Sequence, residues 1–292
     1  MKTGIASYAY IDPYGYEKGF EKLKRHGYDC VDYDCGKFPN FVNTEHEIFS
    51  VSESEFEKRL RAEGELYKNA GIFINQTHGP WRYPPRDGSR EERDERFEKM
   101  CKAIRGTAYL GCENIVVHPL MPFGSHSDAE PKTQWDINLE FMSRLAEVGR
   151  EYGVTVCFEN MPFRELPLSP VSEILRMVRE INSDYFGVCL DTGHAAAIGE
   201  SPADAVRLLG KKYLRVMHVH DNDGKRDYHW LPGTGVINWD DFSDALCEIE
   251  YEGALVLETG VSRFAKEGED TEAAETELAC FVRKLARKDQ KE

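Results

Sequence analysis

Six apolar runs of the chain stop at a residue able to bind a cation or move a proton. Strand-like I-F-I-N-Q-T runs into His78, and I-V-V-His118, V-C-F-Glu159, V-C-L-Asp191, R-V-M-His218 and L-V-L-Glu258 follow. Charge inside an apolar strand costs several kcal/mol unless it is paired or bound to metal, so each such ending needs compensation. Taken singly, Glu159 or Asp191 could cap a following helix and His118 could be a satisfied rim histidine. Six in consecutive runs, about 25 to 40 residues apart and so near the length of one βα unit, point to a shared site. Glu159, Asp191, His218 and Glu258 form an oxygen-rich set with one imidazole nitrogen, suited to Mn²⁺, Mg²⁺, Co²⁺ or Zn²⁺. His78 and His118 flank Glu159 and would let that carboxylate bridge to a second, more nitrogen-rich ion. His194, three residues after Asp191, either completes a third ion site with Asp227 and His229 or binds substrate, leaving those two as loop residues. His220, two residues beyond His218, competes with it for the ligand position on strand seven.

The elements that must position these residues are legible as alternating apolar, β-branched runs and charged amphipathic stretches, the pattern of repeated βα units on a parallel sheet. Eight strands are predicted: Thr3 to Ser7, Cys30 to Tyr33, Ile72 to Thr77, Asn114 to His118, Val154 to Glu159, Phe186 to Asp191, Leu214 to His218 and Ala254 to Glu258. Residues 1–292 are therefore read as a single-domain α/β (β/α)8 barrel, also called a TIM barrel, with no Pro/Ser-rich linker dividing it. Side chains alternate along a strand, so Val116, Cys157, Cys189, Val216 and Val256 should share the barrel lumen beneath the polar endings. Ser89 opens a capping box, and Ser169-Pro170 and Ser201-Pro202 read as N-caps followed by proline at the first helical position. Gly27, Gly71, Gly111, Gly153 and Gly210 stand where left-handed C-caps are expected. The long irregular stretches, His78 to Gly88, Pro119 to Lys132 and Asp221 to Trp239, each follow a strand and so fall on the catalytic face. Arg283 to Glu292 reads as a solvated helix end.

Composition excludes several classes. A net charge of -15 disfavours nucleic acid and anionic lipid. No apolar run approaches the roughly 18 residues of a membrane span. The N-terminal Met1-Lys2-Thr3-Gly4 lacks a secretory leader, which predicts a cytoplasmic protein. The cysteines, without a C-x-x-C pair, read as reduced core-filling thiols.

At these residues the sequence resembles the xylose isomerase-like TIM-barrel superfamily, which contains sugar isomerases, ketose 3-epimerases, inositol-catabolism enzymes and endonuclease IV. The resemblance rests on His78-Gly79-Pro80, V-V-His118-Pro119, F-Glu159-Asn160, L-Asp191-T-G-His194, M-His218-V-H-Asp221 and L-Glu258-T, in that order, over nearly the whole chain. Similarity to the epimerase branch implies one metal held by Glu159, Asp191, His218 and Glu258, with the two glutamates as the catalytic proton carriers. It also implies substrate contacts from His194 and from Arg226. Similarity to the endonuclease IV branch implies a three-zinc site that adds His78, His118, His194, Asp227 and His229. Here His218 and Asp227 lie closer together than in that branch, and Asp221-Asn222-Asp223-Gly224 replaces its basic stretch, which argues against duplex DNA.

The resulting expectation is a metal-dependent isomerase or epimerase of carbohydrate metabolism acting on a sugar, sugar phosphate or polyol. It would abstract a proton beside a carbonyl and stabilise the enediolate with one or more cations. Trp81, Phe163 and Trp230 could wall the substrate or simply pack loops onto helices, and a homo-oligomer is compatible with this reading. The alternatives are a multi-zinc phosphodiesterase, a metal-dependent lyase or dehydratase acting on a cyclic polyol or glycoside, and a non-catalytic sugar-binding barrel.

Overall fold

The computed structural model describes residues 1–33, 41–124, 130–266 and 268–286. Its strands are β1 (Lys2–Ala6), β2 (Cys30–Tyr33), β3 (Phe73–His78), β4 (Asn114–Val117), β5 (Thr155–Glu159), β6 (Phe186–Asp191), β7 (Leu214–His218) and β8 (Ala254–Leu257). All pair in parallel in the order β7-β6-β5-β4-β3-β2-β1-β8. A parallel bridge between Val219 and Leu257 joins the two edges and closes the barrel. The expected strands are present with ends moved by about one residue, the usual uncertainty of such boundaries. His118 and Glu258 thus sit just past their strands.

Helices α1 (Tyr8–His26), α2 (Glu53–Ala70), α3 (Arg90–Tyr109), α4 (Pro131–Tyr152), α5 (Val171–Ile181), α6 (Thr192–Ile198), α7 (Pro202–Tyr213), α8 (Trp239–Glu248) and α9 (Glu272–Ala286) surround the sheet among the described residues. The connection from β6 to β7 carries two of them, α6 opening at Asp191 and α7 at the expected Ser201-Pro202. In α5, Val171, Ile174, Leu175 and Val178 fall on one face and are buried against the barrel. No described helix is long and apolar enough to cross a membrane.

Ser89 and Glu92 form the expected capping box, and Ser201 caps α7 ahead of Pro202. The Ser169-Pro170 reading is corrected by one residue: Pro170 is itself the N-cap, and the Ser169 side chain is buried without capping the helix. Gly27, Gly71 and Gly153 are left-handed C-caps, whereas Gly111 lies one residue beyond the cap Leu110. Gly210 interrupts the end of α7 with φ +60° rather than terminating it. Cys30, Cys112, Cys157 and Cys189 fill the core as expected, but Cys280 is exposed. Residues 287–292, the end of the expected solvated helix terminus, lie outside the described residues, as do 125–129 of the stretch from Pro119 to Lys132.

The interior has two shells. Between strands and helices, outward residues such as Val117, Val156, Phe158, Val188, Leu190 and Met217 join the main core. Inside the lumen, Val116, Cys157, Cys189 and Val216 form their own buried cluster, while Val256 packs with Cys30 and Ala254. These small side chains floor the barrel directly beneath the polar endings, as alternation requires. Register carries the stagger upward: Glu159 lies opposite Cys189, and Asp191 opposite His218.

An ionic lock ties the first helix to the last. Glu272 of α9 receives Lys22 at 2.5 Å, Arg25 at 2.8 Å and His26 at 3.1 Å, all from α1. Hydrogen bonds from Lys22 and then His26 hold the Glu272 carboxyl down to about 2 from an ordinary 4.5. A depressed carboxylate stabilises the fold above its unfolded pKa and loses that contribution as pH falls toward the folded value. Glu272→Gln should therefore lower the melting temperature at neutral pH, with the gap to wild type closing between about pH 4.5 and about pH 2, as thermal melts across that range will record.

Candidate metal centre

The six polar endings converge at the C-terminal mouth of the barrel. Ligand atoms of Glu159, Asp191, His218 and Glu258 all lie within 4.8 Å of one another, and the same holds for His78, His118 and Glu159. A third group, His194, His220, Asp227 and His229, meets the same criterion. The structure thereby divides the two strand-seven histidines. His218 faces Glu159 at 2.6 Å and Glu258 at 3.5 Å, whereas His220 faces Asp191 at 3.0 Å and stacks on His229 with ring centroids 4.0 Å apart. Gly193 permits this packing, since a Cβ there would collide with the His220 ring.

Hydrogen bonds behind the rings decide which nitrogens point inward. His78 Nδ1 lies 2.9 Å from the Gly79 carbonyl, His194 Nδ1 2.8 Å from the Asn160 carbonyl and His229 Nδ1 2.8 Å from the Glu258 carbonyl. A carbonyl only accepts, so each Nδ1 donates and each Nε2 is turned toward the mouth. There His78 Nε2 stands 3.0 Å from His118 Nε2, while His194 and His229 Nε2 approach one Asp227 oxygen at 3.3 and 3.0 Å. Glu159 Oε2 is 2.7 Å from His118 Nε2 without hydrogen-bond alignment, and Glu159 Oε2, Asp227 Oδ1 and Glu258 Oε2 are buried with no hydrogen-bond partner. Convergent ring nitrogens and unpartnered carboxylate oxygens are donors that could hold a cation.

Electrostatics agree. Burial would raise the Glu159 carboxyl, but His218 and then His118 beside it pull it well below the usual range. For Glu258 burial prevails and the carboxyl is raised. Burial holds His118 down to about 4, so it is a neutral lone-pair donor at pH 7. Burial opposes protonation of His229 too, but the Glu258 charge and the hydrogen bond to Asp227 push it up to about 9. A cation entering beside Asp227 would displace that proton.

Two devices hold the residues in place. Asn160 clamps β6, donating from Nδ2 to the Asp191 carbonyl at 3.0 Å and accepting from the Asp191 N–H at 2.8 Å. Asp221 anchors the loop that presents Asp227 and His229. Its fully buried carboxylate accepts from the N–H groups of Asn222, Gly233, Gly235 and Ile237 and from the Trp239 indole, at 2.9 to 3.2 Å. Asp221 stood in the sequence as part of a motif, but its acceptor role is not readable there.

The remaining expected residues are spread around the rim. Trp81 packs edge-on against His118, with centroids 4.7 Å apart, and Tyr83 stacks on Phe163. Trp230 stacks on Tyr228 and lines a cavity of about 370 Å³ with Leu231, Thr234 and Phe264. Arg226 is not brought to the carboxylates: it is exposed, and its guanidinium reaches the Tyr228 hydroxyl at 3.4 Å. Sequence reasoning also passed over Asp32 on β2, whose carboxylate lies 2.7 Å from His218 Nε2.

A family profile described as Xylose isomerase-like TIM barrel matches residues 20–285. An uncharacterized protein of Methanocaldococcus jannaschii is 30% identical over 266 residues, covering 88% of this chain and 83% of the relative. A D-psicose 3-epimerase of Ruminiclostridium cellulolyticum is 24% identical, with 88% and 83% covered. Among solved structures, that of IOLI protein with a binding zinc atom superposes with TM-score 0.74 at 18% identity, covering 98% of this chain and 96% of that one.

Removing the loop anchor leaves buried N–H groups without an acceptor, each worth about 1 to 3 kcal/mol where water cannot replace it. Asp221→Ala should therefore destabilise the chain by about 3 kcal/mol or more in denaturant unfolding. Hydrogen exchange should accelerate selectively at Gly233, Gly235 and Ile237.

Proposed function

Because the chain belongs to the xylose isomerase-like TIM-barrel family, we propose that it is a divalent-cation-dependent isomerase or epimerase acting beside the carbonyl of a sugar or polyol. The observation that carries this reading is the convergence of Glu159, Asp191, His218 and Glu258 within 4.8 Å. Those four residues would hold the ion, and Mn²⁺, Mg²⁺, Co²⁺ and Zn²⁺ all suit a donor set of three carboxylates and one imidazole. When bound, the ion supplies Lewis-acid polarisation of the substrate carbonyl.

The protein's own part is proton transfer and positioning. Glu159 ends β5 and Glu258 follows β8, so they approach a bound substrate from separated strands of the ring. One carboxylate removes the proton on the carbon next to the carbonyl. The other, protonated beforehand from solvent, donates its own proton to the opposite face for epimerisation, or to the neighbouring carbon for isomerisation, and the first then loses the abstracted proton to solvent. The D-psicose 3-epimerase relative supports a ketose as the substrate class. His194 stands beside Asp191 as the substrate-facing histidine, with Trp81 and Trp230 as apolar walls and Arg226 at the outer rim.

A second reading is favoured by one specific observation, the two histidine-rich groups on either side of the central set, one of which shares Glu159. With ions there as well, the mouth would suit multi-zinc phosphodiester hydrolysis.

The test is NMR of a ketose and cyclic-polyol panel incubated in D₂O with Mn²⁺ and the protein. We expect deuterium at a carbon beside the carbonyl and appearance of a second isomer without net elimination. Glu159→Gln and Glu258→Gln should each slow exchange about 10²- to 10⁴-fold and weaken Mn²⁺ binding, whereas His194→Ala should raise KM more than it weakens Mn²⁺ binding. Absence of exchange with every substrate, together with nicking of abasic duplex DNA, would replace this reading by the second.

A further inference from the structure

Below the cation-facing atoms lies a polar network that neither proton transfer nor the donor set uses. β2 reads C-V-Asp32-Y, and Asp32 is 1% exposed in the barrel interior. The pairing of β2 with β3 slips between Val31 and Asp32, so that Asp32 comes opposite Gln76. Such bulges re-aim a side chain. Here Asp32 Oδ2 lies 2.7 Å from His218 Nε2 and accepts from the Gln76 amide at 3.3 Å. The same amide donates to the Met217 carbonyl at 3.2 Å, tying β2, β3 and β7 together across the lumen.

His218 therefore has a carboxylate at each nitrogen, with different surroundings. Nδ1 faces Glu159 and Glu258, the residues of the central set. Nε2 faces away from them toward Asp32, which is not among the groups able to share an ion. An ionised carboxylate only accepts, and neutral imidazole has one N–H. With a cation taking the Nδ1 lone pair, the one remaining proton would stand on Nε2, where Asp32 accepts it. His78, His194 and His229 are oriented by uncharged backbone carbonyls, whereas His218 is backed by a formal negative charge. A charged acceptor also makes the opposite nitrogen a stronger donor to metal.

We propose that Asp32 is the positioning residue of the metal centre, setting the tautomer and orientation of His218 and raising its affinity for the ion. The inference rests on the central set being a cation site. Carboxylates of this kind typically contribute 10- to 100-fold in metal affinity, and the network spans three strands, so the effect should be separable from turnover.

The test is calorimetric titration of the metal-stripped full chain with Mn²⁺. Wild type should bind, Asp32→Ala should bind about 10- to 100-fold more weakly, and Asp32→Asn, which keeps an acceptor oxygen without the charge, should fall between. Wild-type affinity in Asp32→Ala overturns this inference and leaves the cation site standing, whereas no Mn²⁺ binding by wild type overturns both. Should Asp32→Ala not fold, NMR of the wild-type chain loaded with cadmium-113 and labelled at histidine nitrogen decides the matter. Coupling of cadmium to His218 Nδ1, with the proton on Nε2, supports the assignment, and coupling to Nε2 overturns it.

Discussion

A cluster of buried carboxylates at the mouth of the barrel is the constraint on which the rest of the structure turns. Glu159, Asp191 and Asp32 are essentially inaccessible to solvent, and Glu258 and Asp227 are largely enclosed. The ion pairs found for these carboxylates among the described residues are all with histidine. Without an ion the histidines compensate this charge only by holding protons, as His229 does beside Glu258 and Asp227. His118 is held neutral by burial, and its Nε2 stands 3.0 Å from that of His78, where two protons could not coexist. Buried charges cost several kcal/mol each unless they are matched, and a divalent ion would take the place of those protons while using the unpartnered oxygens.

The fold supplies what such a site needs, rigidity from elements far apart in sequence. Parallel register sets Asp191 level with His218 and Glu159 two residues lower, level with Cys189, and small thiol and valine side chains fill the lumen below. The loops complete the ring without being left to find their own geometry. Asp221 gathers backbone donors so that Asp227 and His229 are presented from a fixed turn, and Asn160 ties the end of β5 to β6. Precision of this kind is required of a proton-transfer site, where displacement of a carboxylate by an ångström is costly.

Much of this was legible in the residues. Strand positions followed from β-branched runs with helical punctuation, and the polar endings of six strands pointed to residues that converge at the mouth, because charge at the end of an apolar run is self-announcing. The lumen residues followed from alternation. Three features were not legible, for physical reasons. The separation of His218 from His220 depends on ring directions set by hydrogen bonds from other strands. Asp32 is a charge in an apolar run like the others, but it is followed by Tyr33, and its inward aim comes from a local slip in register. The placement of Pro170 as a cap rather than a first helical residue turns on single-residue geometry that pattern does not resolve.

Anomalous scattering from crystals of the chain grown with Mn²⁺ would locate a cation at the barrel mouth. A peak bonded at about 2.0 to 2.4 Å to Glu159, Asp191, Glu258 and the Nδ1 of His218 is the predicted result. A mouth that stays free of anomalous signal at saturating Mn²⁺, or a peak that leaves Glu159 and Glu258 out of contact, would contradict it.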